Sequence, residues 1–197
     1  MRLALDAEGG DYAPAEIVAG AVETASAHMH VLLVGRPEII EPCLQEAPAE
    51  IRRYVDIVPA TSVISFHDEP AWAVRNKPDS SIVIGARLVT DGVADGFISA
   101  GSTGAMLAAG LLVVKRIRGV KRPAILVVLP GMEGPIAFLD AGANANCRPE
   151  HLVEFGVMGA AFARTVLGIA QPRVGLLNIG EENSKGNELT VAAHRLL

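Results

Sequence analysis

The feature that most constrains the fold of this chain is the alternation of short apolar runs with longer helix-favouring segments along its 197 residues. Such alternation is typical of β-strand–α-helix–β-strand units, whose strands lie in a largely parallel sheet. The pattern predicts strands at 2–6, 30–35, 54–58, 94–99, 124–129, 135–140 and 173–178. It predicts helices at 14–27, 37–46, 80–91, 102–115, 149–167 and 185–197. We therefore expect an α/β protein.

The strands are expected to share one sheet within a single domain. The segments 124–129 and 135–140 are joined by a Pro-Gly-Met-Glu-Gly-Pro stretch, which favours a hairpin and so one antiparallel element. No composition shift marks a linker, so residues 1–197 are predicted to form one domain. The last helical segment stops on Arg195-Leu196-Leu197 without a glycine or proline stop signal, and we expect a chain truncated at its C-terminus.

Composition and charge disfavour several classes of protein. The net charge is −5 and no basic stripe is evident, so nucleic acid is not an expected partner. Cys43 and Cys147 are too few for a disulfide framework or a four-ligand zinc site, and the five histidines show no metal-binding spacing. No signal peptide is evident, and the longest apolar run, 105–114, is too short to span a bilayer. We expect a cytoplasmic protein, with surface association with a membrane left open.

Four loops that follow apolar runs carry polar or glycine-rich residues, and ligands of open α/β sheets bind at the carboxyl ends of strands. In the first loop Asp6 closes the strand, while Gly9 and Gly10 allow the backbone to approach a ligand closely. A tight turn in which Asp11 caps the next helix explains the same residues. The local sequence leaves both interpretations open.

The second loop, 96–104, reads Gly-Phe-Ile-Ser-Ala-Gly-Ser-Thr-Gly. The hydroxyls of Ser99, Ser102 and Thr103 stand beside Gly101 and Gly104 at the predicted start of a helix. Backbone N–H groups and the positive end of the helix dipole make such a position an anion site, which phosphate would fit. The loop lacks the lysine of a nucleotide P-loop. An ordinary N-cap at Ser102 also explains these residues, and both interpretations can hold together.

The third loop, 139–147, begins its polar part with Asp140 and contains Asn144 and Cys147. Asp140 and Asn144 have the chemistry to orient a substrate or a basic side chain, although an Asx turn would account for them equally well. A cysteine nucleophile at Cys147 is disfavoured, because no base is evident nearby and His151 is expected to face solvent.

The fourth loop, 178–187, combines carboxylates, a lysine and glycines before a helix, which favours function over a simple connector. Its candidate ligand-binding residues are Asn178, Gly180, Glu181 and Lys185. Three basic residues, Lys77, Arg122 and Lys185, are candidates to meet a phosphate, although each is by default a solvated charge.

Taken in order, these loops resemble the PlsX family of acyl-ACP:phosphate acyltransferases, and the resemblance covers essentially all of the chain. The matching segments are 6–11, Asp68-Glu69-Pro70, 77–81, 99–105, Arg122-Pro123-Ala124, 140–144, 149–152, 178–182 and 185–188. The sequence departs from the family pattern at Glu8, Ser102 and Asn146, where Met, Asn and Asp are usual.

The resemblance implies transfer of a fatty acyl group from acyl carrier protein to inorganic phosphate, which gives acyl phosphate for phospholipid synthesis. It implies a three-layer αβα sandwich with a mostly parallel sheet, shared with isocitrate and isopropylmalate dehydrogenases and with phosphotransacetylases. It also implies a homodimer, peripheral contact with the membrane, and neither an organic cofactor nor a metal.

On this resemblance, residues 99–104 and Lys185 hold phosphate, and four polar residues shape the site: Asp6, Asp11, Asp140 and Asn144. Phosphate is itself the nucleophile, so the reaction needs positioning and charge stabilisation rather than a catalytic triad. Two rivals stay open, namely a phosphotransacylase acting on short acyl-CoA and a non-catalytic fragment of such an enzyme. A Rossmann-type dehydrogenase is the weakest option, since no GxGxxG follows a strand.

Overall fold

The computed structural model describes residues 1–180, 182 and 185–197. Within them the chain divides into two compact units, residues 1–115 and residues 116–197, each with its own secondary structure. The sequence-based expectation of one domain over the whole chain stays a prediction.

The first unit is built on a parallel four-stranded sheet with the order β3-β2-β1-β4. Its strands are β1 (Arg2–Asp6), β2 (His30–Gly35), β3 (Val55–Pro59) and β4 (Gly96–Ile98). β1 lies between β2 and β4, with Ala4 opposite Leu32 on one side and Phe97 on the other. The four strands predicted for this part of the sequence are confirmed, and the strand order reverses at β1.

Six helices accompany this sheet, and the sequence predicted four of them. They are α1 (Ala15–Thr24), α2 (Pro37–Gln45), α3 (Ala49–Arg52), α4 (Pro70–Asn76), α5 (Ser81–Thr90) and α6 (Thr103–Ala109), the last continuing as a π-helix over Gly110–Val114. The helices α3 and α4 were missed because each is too short to show a clear helical period. The sequence did contain a signal for α4. Glu69 can accept hydrogen bonds at a helix start, and the proline that follows it fits the first helical position.

Helices cover both faces of the sheet, because successive strand side chains point to opposite faces. On one face Leu33 of β2 packs in a cluster with Val18 of α1 and Ile40 of α2. On the other face Leu32 of β2 packs with Leu88 of α5. The predicted three αβα layers around a parallel sheet are therefore confirmed in this unit.

Removal of the cap of α4 is expected to destabilise the first unit. The Glu69 carboxylate accepts the backbone N–H groups of Ala71 and Trp72, so Glu69→Ala leaves two donors at the helix start without this partner and should cost about 1 kcal/mol. Trp72 is the chain's only tryptophan, so urea unfolding followed by its fluorescence reports this unit directly. Glu69→Asp keeps an acceptor and should retain most of the stability. An unchanged midpoint for Glu69→Ala would show that the cap is unimportant.

The second unit contains a hairpin of β5 (Val127–Gly131) and β6 (Gly134–Phe138). The predicted antiparallel pairing is confirmed, with Leu129 opposite Ile136. The expectation that all strands share one sheet is wrong, because this hairpin forms a separate two-stranded sheet. Alternating apolar residues indicate that a segment is a strand, but they do not specify which neighbour it pairs with.

The described part of the second unit also contains the helices α7 (Pro149–Thr165) and α8 (Glu188–His194). Both lie within segments that the sequence predicted as helical, although α8 is shorter at both ends. Among the described residues, no helix combines the length and the apolar character needed to cross a bilayer.

The predicted strand at 173–178 is wrong, since none of these residues belongs to a strand. A strand requires a neighbouring chain that completes its backbone hydrogen bonds, and within the described residues this segment pairs with none. Its apolar side chains are correspondingly open, with Val174 51% and Leu177 77% exposed. The apolar composition therefore misled the prediction.

Candidate anion-binding site

The loops that follow β1 and β4 meet at the carboxyl edge of the sheet, because these two strands are neighbours. Gly9 of the first loop lies against Gly101 of the second. A Cβ atom placed on Gly9 would stand 2.8 Å from the backbone nitrogen of Gly101 and 2.9 Å from Ser99 Oγ, so a larger residue would force the loops apart. Ligands of open α/β sheets bind where the strand order reverses. Two of the four predicted loops thus come together at such a point.

The carboxylate of Asp6 links these two loops by hydrogen bonds. Its side chain is buried, and its Oδ2 accepts the hydroxyl proton of Ser99 over 2.6 Å. Its Oδ1 accepts the backbone N–H of Glu8 over 3.1 Å. Ser99 Oγ in turn accepts the N–H of Gly101 over 3.0 Å. Both carboxylate oxygens of Asp6 are thus engaged within these loops, and a direct role in catalysis stays a prediction.

Ser102 is the N-cap of α6, since its Oγ accepts the N–H of Ala105 over 3.3 Å. The N-cap interpretation of Ser102 is confirmed. The backbone N–H groups of Ser102, Thr103 and Gly104 have no hydrogen-bond partner among the described residues. These donors stand at the positive end of the helical run, where a negatively charged ligand is stabilised. The cap and an anion site are therefore compatible.

Gly10 and Asp11 complete the first loop. Gly10 has a φ of +100°, which a residue with a side chain rarely adopts. Asp11 is exposed and does not cap α1, whose N-cap is Pro14 and which begins with no side-chain cap bond. The capping interpretation of Asp11 is wrong, because an intervening turn separates it from the helix start. No hydrogen bond holds its carboxylate among the residues described, which leaves it open to solvent or to a ligand.

Arg36 joins this region although the sequence did not point to it. Its Nη2 lies 2.6 Å from Glu8 Oε2 and its Nε lies 2.9 Å from the same oxygen. Its backbone N–H also donates to Glu8 Oε1 over 2.7 Å. Hydrogen bonding to Glu8, aided by the charge of that carboxylate, raises the pKa of Arg36. A weak signal was available, since Arg36 directly follows β2, the strand next to β1.

Lys77 is occupied by two protein partners. Its ammonium lies 2.6 Å from Asp68 Oδ2 and donates to the carbonyl oxygen of Val63 over 3.0 Å. The hydrogen bond from Lys77 is the main cause of a lowered pKa at Asp68. Lys77 therefore braces the segment before α4, and its ammonium retains one further N–H. A role in phosphate binding stays a prediction.

In the second unit Asp140 gathers four hydrogen bonds. Its carboxylate accepts the backbone N–H groups of Ile125 (2.8 Å), Ala143 (3.1 Å) and Asn144 (2.8 Å), and the side-chain N–H of Asn144 (3.0 Å). Burial raises the pKa of Asp140, but the hydrogen bonds together outweigh it and the net pKa is lowered. Asp140 thus fixes its own loop to the chain that precedes β5.

Asn144 connects this loop to a basic side chain. Its Oδ1 accepts from Arg122 Nη1 over 3.2 Å, and its Nδ2 donates to the carbonyl oxygen of Pro123 over 2.8 Å. Of the roles left open for Asn144, contact with a basic side chain is seen in the hydrogen bond from Arg122. Arg122 itself is exposed, so its remaining N–H groups face solvent.

In the described part of the fourth loop, the Lys185 side chain is exposed. Asn178 Nδ2 donates to the backbone carbonyl of Lys185 over 2.8 Å. Gly186 has a φ of +106°, and a side chain there would collide with Asn178. Gly180 lies beside the same lysine, since a Cβ on it would stand 3.1 Å from Lys185 Cγ. Glu181, also predicted to bind ligand, lies outside the described residues.

The geometry at Cys147 gives no support to a cysteine nucleophile. The nearby His151 is half-buried, and its Nδ1 accepts the backbone N–H of Arg148 over 3.1 Å at the start of α7. That ring nitrogen is therefore committed to capping the helix. The expectation that this ring faces solvent stays a prediction. Among the described residues, no group of three or more histidine, cysteine or acidic side chains is arranged to hold a metal ion.

Comparisons with known proteins extend over the full chain. A family model described as "Fatty acid synthesis protein" matches residues 1–197. The chain is 54% identical over 198 residues to a "Phosphate acyltransferase" of Heliobacterium modesticaldum, and 53% identical over 200 residues to one of Desulfitobacterium hafniense strain Y51. Each alignment covers 100% of this chain but only 59% and 58% of the relative. The chain thus spans somewhat over half the length of these relatives.

A solved structure shares the fold. The EutD phosphotransacetylase from Staphylococcus aureus superposes with a TM-score of 0.67 and covers 100% of this chain and 63% of its own. The sequence identity is 20%, so this likeness concerns the fold alone. It confirms the predicted phosphotransacetylase-like α/β architecture.

Proposed function

We propose, from the premise that this chain belongs to the fatty acid synthesis protein family, that it provides the phosphate-binding part of an acyltransferase that moves a fatty acyl group to inorganic phosphate. The observation that carries the proposal is the contact between Gly9 and Gly101, where the strand order reverses. The name of the relatives, phosphate acyltransferase, supports the reaction class.

The chemistry needs little from the protein beyond position and charge. An oxygen of phosphate attacks the carbonyl carbon of a thioester, the carbon–sulfur bond breaks, and the thiolate leaves as acyl phosphate forms. In the proposed site, the backbone N–H groups of Ser102, Thr103 and Gly104 hold the phosphate, and the Thr103 hydroxyl adds a donor. Asp6 contributes by orienting Ser99, which it binds over 2.6 Å.

For the remaining predicted residues we propose supporting roles. Arg122 and Lys185 are exposed cations suited to anionic groups of the substrates, and Asp140 and Asn144 act through the loop that contacts Arg122. Asp11 lies in the first loop, where it can orient a substrate donor group. Lys77 keeps a single N–H for a phosphate oxygen.

The donor, the assembly and the location are finer proposals. We propose acyl carrier protein as the acyl donor, a homodimer as the assembled form, and a cytoplasmic enzyme that contacts the membrane peripherally. These proposals are supported by the family membership. They concern the whole protein, because the relatives extend well beyond the region that this chain matches.

Donor choice tests this function directly. The chain is incubated with phosphate and either acyl-ACP or a short acyl-CoA, and acyl phosphate is trapped with hydroxylamine. We expect hydroxamate from acyl-ACP and little from acyl-CoA. The reverse preference would favour a phosphotransacylase for short acyl-CoA. Phosphate binding without product from either donor would indicate that this length of chain binds but does not catalyse.

A further inference from the structure

An acidic residue belongs to the first loop of the proposed anion site, and its negative charge by itself should oppose anion binding. Glu8 immediately precedes Gly9, the glycine that contacts Gly101. The side chain of Glu8 is only 4% exposed, so water screens its charge poorly. Its carboxylate lies over the end of β2, since a Cβ on Gly35 would stand 3.1 Å from Glu8 Oε1. A ligand with negative charge therefore needs this carboxylate to be neutralised.

Arg36 is the group that neutralises it. Three N–H groups of this residue, namely the backbone N–H, Nε–H and Nη2–H, donate to the two oxygens of Glu8 over 2.6–2.9 Å. Such two-pronged arginine–carboxylate contacts are short, strong and geometrically specific. The arginine side chain is 44% exposed, whereas the carboxylate is almost fully enclosed, so the charge that most needs a partner is that of Glu8.

The pair also fixes the backbone of the first loop. The N–H of Glu8 donates to Asp6 Oδ1 and the side chain of Glu8 is held at Arg36, so this residue is anchored at both ends. The N–H of Ala7 donates to the carbonyl oxygen of Val34 over 3.0 Å. Hydrogen bonds to Val34, Asp6 and Arg36 thus hold the two residues before Gly9, and the last of these bonds depends on the arginine.

We propose that Arg36 is a positioning residue for the anion site, which acts through Glu8 by cancelling its charge. The inference rests on the proposed phosphate-binding function. It assigns no contact between Arg36 and phosphate. An arginine that acts only by neutralising a carboxylate should become dispensable when the carboxylate is removed, and this distinguishes it from an arginine that binds the ligand.

The test measures binding of inorganic phosphate by isothermal titration calorimetry to four proteins, the native chain, Arg36→Gln, the double variant Glu8→Gln with Arg36→Gln, and Arg52→Gln. Arg52 is an exposed arginine of α3 before the amino end of β3, away from the carboxyl edge, and it matches the charge change. We expect Arg36→Gln to bind phosphate about tenfold or more weakly, because the uncompensated and poorly screened carboxylate of Glu8 would repel the anion. The double variant should recover most of the affinity, and Arg52→Gln should bind as the native chain does.

Each other outcome contradicts a specific step. Native affinity in Arg36→Gln overturns the inference while leaving phosphate binding intact. A double variant that folds but binds as weakly as Arg36→Gln also overturns it, because the arginine would then be needed for its own sake. Absence of phosphate binding in the native chain would instead reject the proposed function. Trp72 fluorescence melts of all four proteins establish folding, and if Arg36→Gln does not fold, the double variant still decides between these outcomes.

Discussion

Gly9→Ala is expected to weaken phosphate binding by roughly 10- to 100-fold. The added Cβ would stand 2.6 Å from Asp6 Oδ2 and 2.8 Å from the backbone nitrogen of Gly101. Neither neighbour is the tip of a flexible side chain, since Asp6 is itself held by Ser99. The two loops must therefore move apart, and the donors at the start of α6 lose their position relative to the first loop.

The matched control is Gly20→Ala in α1. A Cβ on Gly20 meets nothing within 4 Å, and alanine favours a helix over glycine by roughly 0.5–1 kcal/mol, so this variant should be as stable as the native chain or more so. Its phosphate affinity, measured by calorimetry alongside Gly9→Ala, should be unchanged. Equal affinities for Gly9→Ala and the native chain would refute the close approach of the two loops as a requirement for binding.

The second large effect is expected on stability, from Asp140→Ala. This change removes the acceptor of four hydrogen bonds, from the backbones of Ile125 and Ala143 and from the backbone and side chain of Asn144, and should destabilise the second unit by about 2–4 kcal/mol. Hydrogen exchange is the suitable measurement, because the amides of these three residues should lose protection first. Exchange rates at the native level in the variant would contradict the role of Asp140 as an anchor.

The same carboxylate gives this unit a pH dependence. The pKa of Asp140 is lowered in the folded protein, so its stabilisation is complete above the unfolded value of about 3.9 and is lost as the pH falls through the folded value. Protection of these amides should therefore decline on acidification below about pH 4. In Asp140→Asn the protection should be weaker at neutral pH, and the contribution of this group to the acid slope should be absent.

Much of the fold of the first unit could be predicted, because its strands are short apolar runs bounded by turns or helices. The predictions at 2–6 and 30–35 coincide with β1 and β2. The sheet order could not be predicted from such runs, and it is this order that brings the loops after β1 and β4 together. The failure at 173–178 has the same origin, because a strand depends on a partner that the local sequence does not specify.

In the candidate site, too, the features set by residues close in sequence could be predicted, and those set by the sheet order could not. Hydroxyls and glycines at 99–104 pointed to an anion site and to a cap at Ser102, because both depend on residues close in sequence. The pair of Glu8 and Arg36 spans 28 positions and depends on the side-by-side placement of β1 and β2, so no local pattern announced it. In the same way, a turn rather than a helix follows Asp11, which left this residue without the capping role considered for it.

The central claim is that the chain binds phosphate where the loops after β1 and β4 meet. A titration of the 15N-labelled chain with inorganic phosphate, followed by amide chemical shifts and matched in ionic strength with sodium chloride, tests it most directly. We expect saturable shifts centred on the amides of Gly9, Gly10, Ser102, Thr103 and Gly104. Shifts confined to other parts of the chain, or no difference between phosphate and chloride, would contradict it.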